Sequence, residues 1–221
     1  PRTDRADLEK YHEDLIVCSA CIAGEVPAKI LKGDIAGARE ACEWYHNLFG
    51  DDYYLELQRH KVPDDPSLLA NREAYELQQK ANKVLIEFAR EYGIKLVCTN
   101  DCHFEDKETA EAHDHLLCIA TGKDLDDPNR MRYSKQEWFK TREEMNEVFA
   151  DVPEALSNTL EVLDKVEIYS IDHGPIMPFF PIPAEFGTEE DTRKRISPEE
   201  LFREFLSLIH ISEPTRPRLI S

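Results

Sequence analysis

A chain of 221 residues is long enough for one sizeable domain, or for a domain with a connecting segment. Its apolar fraction of 41% and charged fraction of 33% fit a soluble globular protein and exclude a fibrous or disordered one. The formal charge of −18 argues against wholesale nucleic-acid binding by this chain alone, because neutralising phosphates requires clustered Lys and Arg. No leader or membrane-spanning run is visible, so we expect a cytoplasmic protein, and Pro1 in place of Met indicates an N-terminal truncation.

Short apolar runs alternate with helical patterns along the first half of the chain. The runs predict strands over residues 15–20, 53–58 and 95–100, and the helical patterns cover residues 4–12, 34–49, 71–92 and 107–120. Gly24 and Pro27 interrupt the chain after the first run, Ile35 begins the apolar side of the second helical pattern, and Gly93 ends the third as a C-cap glycine. Strands that alternate with helices at this spacing predict an α/β fold with a parallel sheet or barrel.

The character of the sequence changes after Gly122. Residues 130–140 are expected to be extended, 142–149 and 152–166 to be helical, and the proline-rich stretch 174–183 to be a connector. Residues 206–216 resemble the translation of a transposon-end sequencing adapter. We therefore interpret residues 206–221 as a non-native tail that adds no core packing, and we exclude it from the fold.

The clearest candidate site is Asp101-Cys102-His103, after the third predicted strand. An alternation of two points the Asp101 and His103 side chains to one side, and the carboxyl ends of parallel strands commonly carry functional sites. A carboxylate and an imidazole there would suit zinc or manganese. By spacing alone, a helix-capping Asp beside a solvated His is the preferred interpretation.

Two further sets of residues could contribute to a site. Cys18 and Cys21 could form half of a zinc site or a redox pair, but Cys21 follows the first strand whereas Cys18, like Cys98, lies inside an apolar run. This favours Cys21 as a ligand and the other two as core thiols. His60 follows the second strand and could lie at the mouth of a barrel, or be an ordinary loop histidine.

Two histidines on one predicted helix and a basic, aromatic stretch have simpler interpretations. His113 and His115 stand two positions apart on a helix, so joint ligation is not expected and one of them should pack inward. Residues 130–140 could meet a phosphate backbone, but a solvated strand with buried Tyr133, Trp138 and Phe139 is the preferred interpretation.

Taken in order, these segments resemble the bacterial DNA polymerase III alpha family. The resemblance covers nearly all of residues 1–205 and is carried by residues 15–25, 53–60, 97–104, 111–123, 139–145, 149–159 and 177–183. It implies that residues 1–123 are the C-terminal part of the family's PHP domain, a distorted, TIM-like barrel of β/α units. Residues 124–205 would then be a mostly helical connector toward the polymerase palm.

The resemblance also implies a function and a set of metal ligands. The family's PHP metal ligands map onto Cys21, Asp101 and His103, with zinc or manganese as the metal and a 3′–5′ exonuclease (proofreading) or structural role. The parent polymerase would extend DNA from dNTPs and work with a proofreading subunit and a sliding clamp, and not with a membrane. The nucleotidyl-transfer carboxylates and their magnesium ions belong to the palm and lie outside this chain, so we expect no catalytic residues for that reaction here.

Two alternatives stay open at this point. The first is a stand-alone PHP-type metal-dependent phosphoesterase, although such an enzyme would not need the segment after Gly122. The second is a non-catalytic docking module for other replication proteins. The sequence downstream of the chain would separate the first from a polymerase, and metal content would separate the second.

Overall fold

The structure is a computed structural model that describes residues 3–62, 72–172 and 174. The described residues up to Glu167 form one compact unit, and the described residues from Ile168 onward are separate from it. The strands are β1 (Val17–Cys18), β2 (Tyr53–Gln58) and β3 (Lys95–Thr99). The helices are α1 (Arg5–Tyr11), α2 (Glu25–Leu31), α3 (Ile35–Phe49), α4 (Glu73–Tyr92), α5 (Ala110–Thr121), α6 (Arg142–Val148) and α7 (Pro153–Lys165), and a 3₁₀ turn covers Gly50–Asp52.

The three strands form one parallel sheet in the order β1-β2-β3. Val17 pairs with Tyr53, and Leu55 pairs with Leu96. The predicted parallel arrangement is therefore confirmed. β1 is shorter than predicted because Asp14 and Ala20 both adopt positive φ angles, which interrupt the extended backbone on either side of it.

The two long helices follow their sequence patterns. Asp34 caps α3 by accepting a hydrogen bond from the backbone N–H of Gly37 at 2.9 Å. α4 ends at Gly93, whose φ of +69° is the left-handed conformation of a C-terminal cap, as predicted. Ile35, expected on the buried side of α3, is instead 38% exposed because it occupies the first turn, beyond the edge of the core.

α2 was not predicted, because Gly24 and Pro27 suggested a loop. Pro27 lies in the first turn of the helix, where its missing N–H would have had no intrahelical partner. Val26 and Ile30 are buried in the core that the helices share with the sheet, and this burial favours the helix.

The last two helices pack on the same core as the strands. α7 lies against β3, and Phe149, Val152 and Ala155 are fully or almost fully buried in that core. The Arg59 side chain holds this segment through Asp151 and the Val148 carbonyl. Part of the segment expected to be a connector is therefore packed against the sheet, while the boundary after residue 123 stays a prediction.

Several expectations fall on residues that the structure does not describe. The proline-rich stretch, of which only Gly174 is described, and the tail 206–221 lie outside the described residues. Within residues 3–62 and 72–172, no helix is both long enough and apolar enough to cross a bilayer.

Candidate functional site

The chain turns sharply where β3 ends. Asn100 is buried, and Asp101 follows it with a φ of +46°, a left-handed conformation that Asp tolerates better than most residues. The turn carries the next residues away from the sheet and alongside a later loop. The backbone N–H of His103 donates to the Glu137 carbonyl at 2.8 Å, and Phe104 forms a parallel bridge with Trp138.

Asp101 and His103 form a pair in which the imidazole has a defined tautomer. His103 Nδ1 lies 2.6 Å from the Asp101 carbonyl oxygen and 3.8 Å from Asp101 Oδ1. Because a carbonyl can only accept, the hydrogen-bond network assigns the proton to Nδ1. Nε2 then accepts from the Tyr133 hydroxyl at 3.0 Å. A metal-ligating histidine commonly donates its other N–H to a carbonyl, so this tautomer fits a ligand that binds through Nε2.

Cys21 is held at the end of β1 by a tight turn. Its carbonyl accepts a hydrogen bond from the Gly24 backbone N–H at 2.8 Å. A Cβ atom added at Gly24 would lie 2.1 Å from the Ser19 carbonyl oxygen, so only glycine allows the chain to turn this closely before α2. The position of Cys21 therefore depends on a local constraint in the sequence.

The Tyr133 hydroxyl lies in the electrostatic neighbourhood of several candidate ligands. Partial burial raises the pKa of Tyr133, and the negative charges of Asp101, Glu137 and Cys21 raise it further, in that order. Tyr133 therefore stays protonated and donates its hydrogen bond at neutral pH. It links the loop after α5 to the end of β3.

The described residues do not form a complete coordination sphere. Among residues 3–62 and 72–172, no group of three or more His, Cys, Asp or Glu side chains is arranged to hold a metal ion. Asp101 and His103 lie together, with 3.8 Å between Asp101 Oδ1 and His103 Nδ1. Metal binding by these three residues stays a prediction.

The His113 ring packs beside the rings of His103 and Tyr133, a role that the sequence analysis did not assign to it. Its ring centroid is 5.7 Å from that of His103 and 5.2 Å from that of Tyr133. His115 is exposed and contacts the Glu111 carbonyl, so one histidine of the two packs inward, as predicted. The contribution of Tyr133 could have been suspected only from the aromatic content of residues 130–140.

That stretch also corrects one expectation. Trp138 is buried, but Phe139 is 76% exposed, although both were expected to be buried. Successive side chains of extended backbone point to opposite sides, so the burial of Trp138 beside Phe104 directs Phe139 to solvent.

The His60 side chain is buried, and both of its ring nitrogens have hydrogen-bond partners. It is 3% exposed, its Nε2 lies 3.1 Å from the Asn100 carbonyl, and its Nδ1 lies 3.0 Å from Gln78 Nε2. Burial lowers the pKa of His60, although the nearby Glu137 carboxylate opposes that effect. The neutral ring therefore donates from Nε2 to the residue that precedes Asp101. Its suggested place at a barrel mouth stays a prediction.

The two cysteines that were expected to be core thiols, Cys18 and Cys98, differ in burial. Cys98 is buried in the core, as expected, and burial raises the pKa of its thiol to about 11. Cys18 is exposed, contrary to the expectation that it packs in the core. It pairs with Tyr54 in the short edge strand β1, which places it on the same face of the sheet as Glu56 instead.

Comparisons with known proteins agree with the motif resemblance. The PHP domain family matches residues 1–60. DNA polymerase III subunit alpha of Borreliella burgdorferi is 41% identical over 190 residues, covering 85% of this chain and 15% of that protein. The subunits of Escherichia coli (35% over 196 residues, 88% and 16%) and Thermus aquaticus (35% over 191 residues, 83% and 14%) are also similar. The chain thus spans about 15% of the length of the curated relatives it matches, and the predicted resemblance is confirmed.

Proposed function

We propose that this chain is part of the alpha subunit of a bacterial DNA polymerase III and supplies the later portion of its PHP domain. The observation that carries the proposal is the 41% identity over 190 residues to the Borreliella burgdorferi subunit. The complete protein would extend DNA from dNTPs in the cytoplasm. Its partners would be DNA and other replication proteins, including a proofreading subunit and a sliding clamp.

The fold supports a specific place for the chain within that protein. Three adjacent parallel strands with intervening helices are what a segment of a β/α barrel would contribute. We propose that residues 1–123 belong to the PHP domain and that residues 124–205 lead toward the palm, with 206–221 as a non-native tail. Because α7 packs on β3, the packed body extends through about Lys165.

The proposed role of the PHP site is metal-dependent, with Cys21, Asp101 and His103 as the ligands in this chain. A thiolate, a carboxylate and an imidazole form a donor set suited to zinc, and manganese would require more oxygen ligands. The bound ion would supply Lewis-acid chemistry toward a phosphodiester, which is the basis for a 3′–5′ exonuclease role. The nucleotidyl-transfer carboxylates, with magnesium, would lie in the palm outside this chain.

Within the site, the chain's own residues orient His103 for that role. The Asp101 carbonyl holds the proton on Nδ1, which leaves Nε2 with its lone pair. Tyr133 donates to that lone pair and would have to move aside for an ion to bind there. The left-handed backbone at Asp101 places its carboxylate next to the ring.

The deciding experiment uses the complete polymerase and Asp101→Asn. We expect bound zinc or manganese and any exonuclease activity to fall, while primer extension stays largely intact, because the palm would carry its own metal carboxylates. Asp126→Asn, at an exposed loop carboxylate, is the matched control and should leave metal content unchanged. Equal metal content in Asp101→Asn and wild type would refute the ligand assignment.

A second outcome would favour a different enzyme. If the gene encodes no palm carboxylates downstream, the polymerase proposal fails. Hydrolysis of p-nitrophenyl phosphate that depends on Mn²⁺ and is lost in Asp101→Asn would then indicate a stand-alone PHP phosphoesterase.

A further inference from the structure

A network of buried polar side chains lies directly behind the candidate site. Each member is at most 7% exposed and is hydrogen-bonded, although none of them is a proposed metal ligand. A buried polar group is costly unless it is paired, so a fully paired network of this size specifies one arrangement of the chain. The members are His60, Gln78, Asn100, Ser134 and Glu137.

Glu137 is the centre of this network and is only 2% exposed. One carboxylate oxygen, Oε1, accepts from the backbone N–H of Ser134 at 3.0 Å and from its hydroxyl at 2.5 Å. The other, Oε2, accepts from the backbone N–H of Gln136 at 2.8 Å. The loop of residues 134–137 therefore folds around the carboxylate of Glu137, which belongs to the same loop. Lys135, at the tip of this loop, adopts a φ of +63°.

The loop that Glu137 closes contacts His103 in two ways. The Glu137 carbonyl accepts from the His103 backbone N–H, and Tyr133, just before the loop, donates to His103 Nε2. The contact with the Glu137 carbonyl fixes the main chain of His103, and the contact with Tyr133 fixes its ring. A change in the loop would therefore alter both the place and the orientation of the imidazole.

The same loop also holds the residue before Asp101. The Asn100 side-chain amide donates to the carbonyls of Gln136 at 3.0 Å and Trp138 at 2.7 Å. On the other side, the Asn100 carbonyl accepts from His60, whose Nδ1 is 3.3 Å from Glu137 Oε1. Asn100, which begins the turn at Asp101, is therefore held on both sides. Its side chain binds the loop that contains Glu137, and its carbonyl binds His60, which lies next to the Glu137 carboxylate.

We propose that Glu137 is a positioning residue that presents Asp101 and His103 in their ligand geometry. It acts through the loop and does not itself contact a bound group. The inference rests on the proposed metal function, but its structural part concerns only this chain. Residues that orient metal ligands typically change metal affinity about 10- to 100-fold when substituted.

The test compares Glu137→Gln and Ser134→Ala with Glu161→Gln in the 221-residue chain. Glu161 is a matched control because it also accepts hydrogen bonds, from Tyr54 and Lys95, but at the opposite end of β3. Long-range ¹H–¹⁵N NMR of ¹⁵N-histidine-labelled protein reports which His103 nitrogen carries the proton, with His103→Gln used for assignment. Competition against a chromophoric chelator measures the affinity for Zn²⁺.

In both loop variants we expect the His103 signals to shift from the fixed Nδ1–H tautomer toward a mixture. Their Zn²⁺ affinity should fall about 10- to 100-fold, with Glu161→Gln within about twofold of wild type. If Glu137→Gln does not fold, Ser134→Ala decides, because it removes one donor to the same carboxylate. Unchanged His103 signals in the folded loop variants would overturn the inference.

The two proposals fail in different ways. A wild-type chain that binds no Zn²⁺ counts against the metal function in this chain, while the tautomer shift would still support positioning by Glu137. A merely structural role for Glu137 predicts lower stability with an unchanged His103 tautomer, and that result would also overturn the inference.

Discussion

Replacing Phe149 with alanine tests whether the helices after residue 140 belong to the same folding unit as the sheet. The Phe149 side chain is fully buried in the shared core, and the Arg59 guanidinium lies 5.0 Å from its ring centroid. Truncating a buried Phe to Ala costs about 3–5 kcal/mol through lost transfer energy and the cavity left behind. We therefore expect Phe149→Ala to lose a large part of a typical domain stability of about 5–15 kcal/mol.

The measurement is urea unfolding followed by far-UV circular dichroism and by tryptophan fluorescence. Trp44 lies on α3 and Trp138 in the loop after α5, so fluorescence reports on both regions. Coincident transitions by circular dichroism and fluorescence would indicate one cooperative unit. Leu160→Ala is the control, because Leu160 is 57% exposed on α7, and it should change stability by less than about 0.5 kcal/mol. A loss below about 1 kcal/mol for Phe149→Ala would show that this segment is only a connector.

Three further predictions concern surface charge, a helix cap and the tail. Hydrogen bonds, first from Lys95, lower the pKa of Glu161 from its ordinary 4.5 to about 2, so its contribution is complete above pH 4.5 and is lost as pH falls toward 2. Glu161→Gln should flatten that part of the stability curve, measured as urea midpoints between pH 5 and 3, and an unchanged slope would contradict the assignment. Thr141→Ala removes the cap of α6 and should cost about 1 kcal/mol in the same assay, whereas a neutral effect would show that the cap is dispensable. Deleting residues 206–221 should leave the melting temperature unchanged, and a clear drop would show that the tail is native protein.

The sequence alone determined those parts of the fold that depend on neighbouring residues. α3 and α4 were predicted from apolar spacing, and the end of α4 was predicted from Gly93, since a left-handed cap needs only local backbone freedom. The parallel order of the strands followed from the helices between them. Asp101 and His103 were predicted as neighbours because they stand two positions apart, with only Cys102 between them.

Tertiary structure decided which candidate groups are buried and what they contact. The sequence could not distinguish Phe139 from Trp138, because the side of an extended segment that faces inward depends on its partner, here Phe104. α2 formed despite Pro27 because burial of Val26 and Ile30 outweighs a weak local preference.

The arrangement of the site itself depends on long-range contacts. The hydrogen bond between Tyr133 and His103 joins residues 30 positions apart, and the one between His60 and Asn100 joins residues 40 positions apart. Sequence patterns report interactions over about four residues, so neither contact leaves a periodic signal. Glu137 appeared as one more charged residue in a polar stretch, and only folding removed it from water and surrounded its carboxylate with hydrogen-bond donors. A buried carboxylate is stable only with such donors, which is why its role became visible in the structure and not in the sequence.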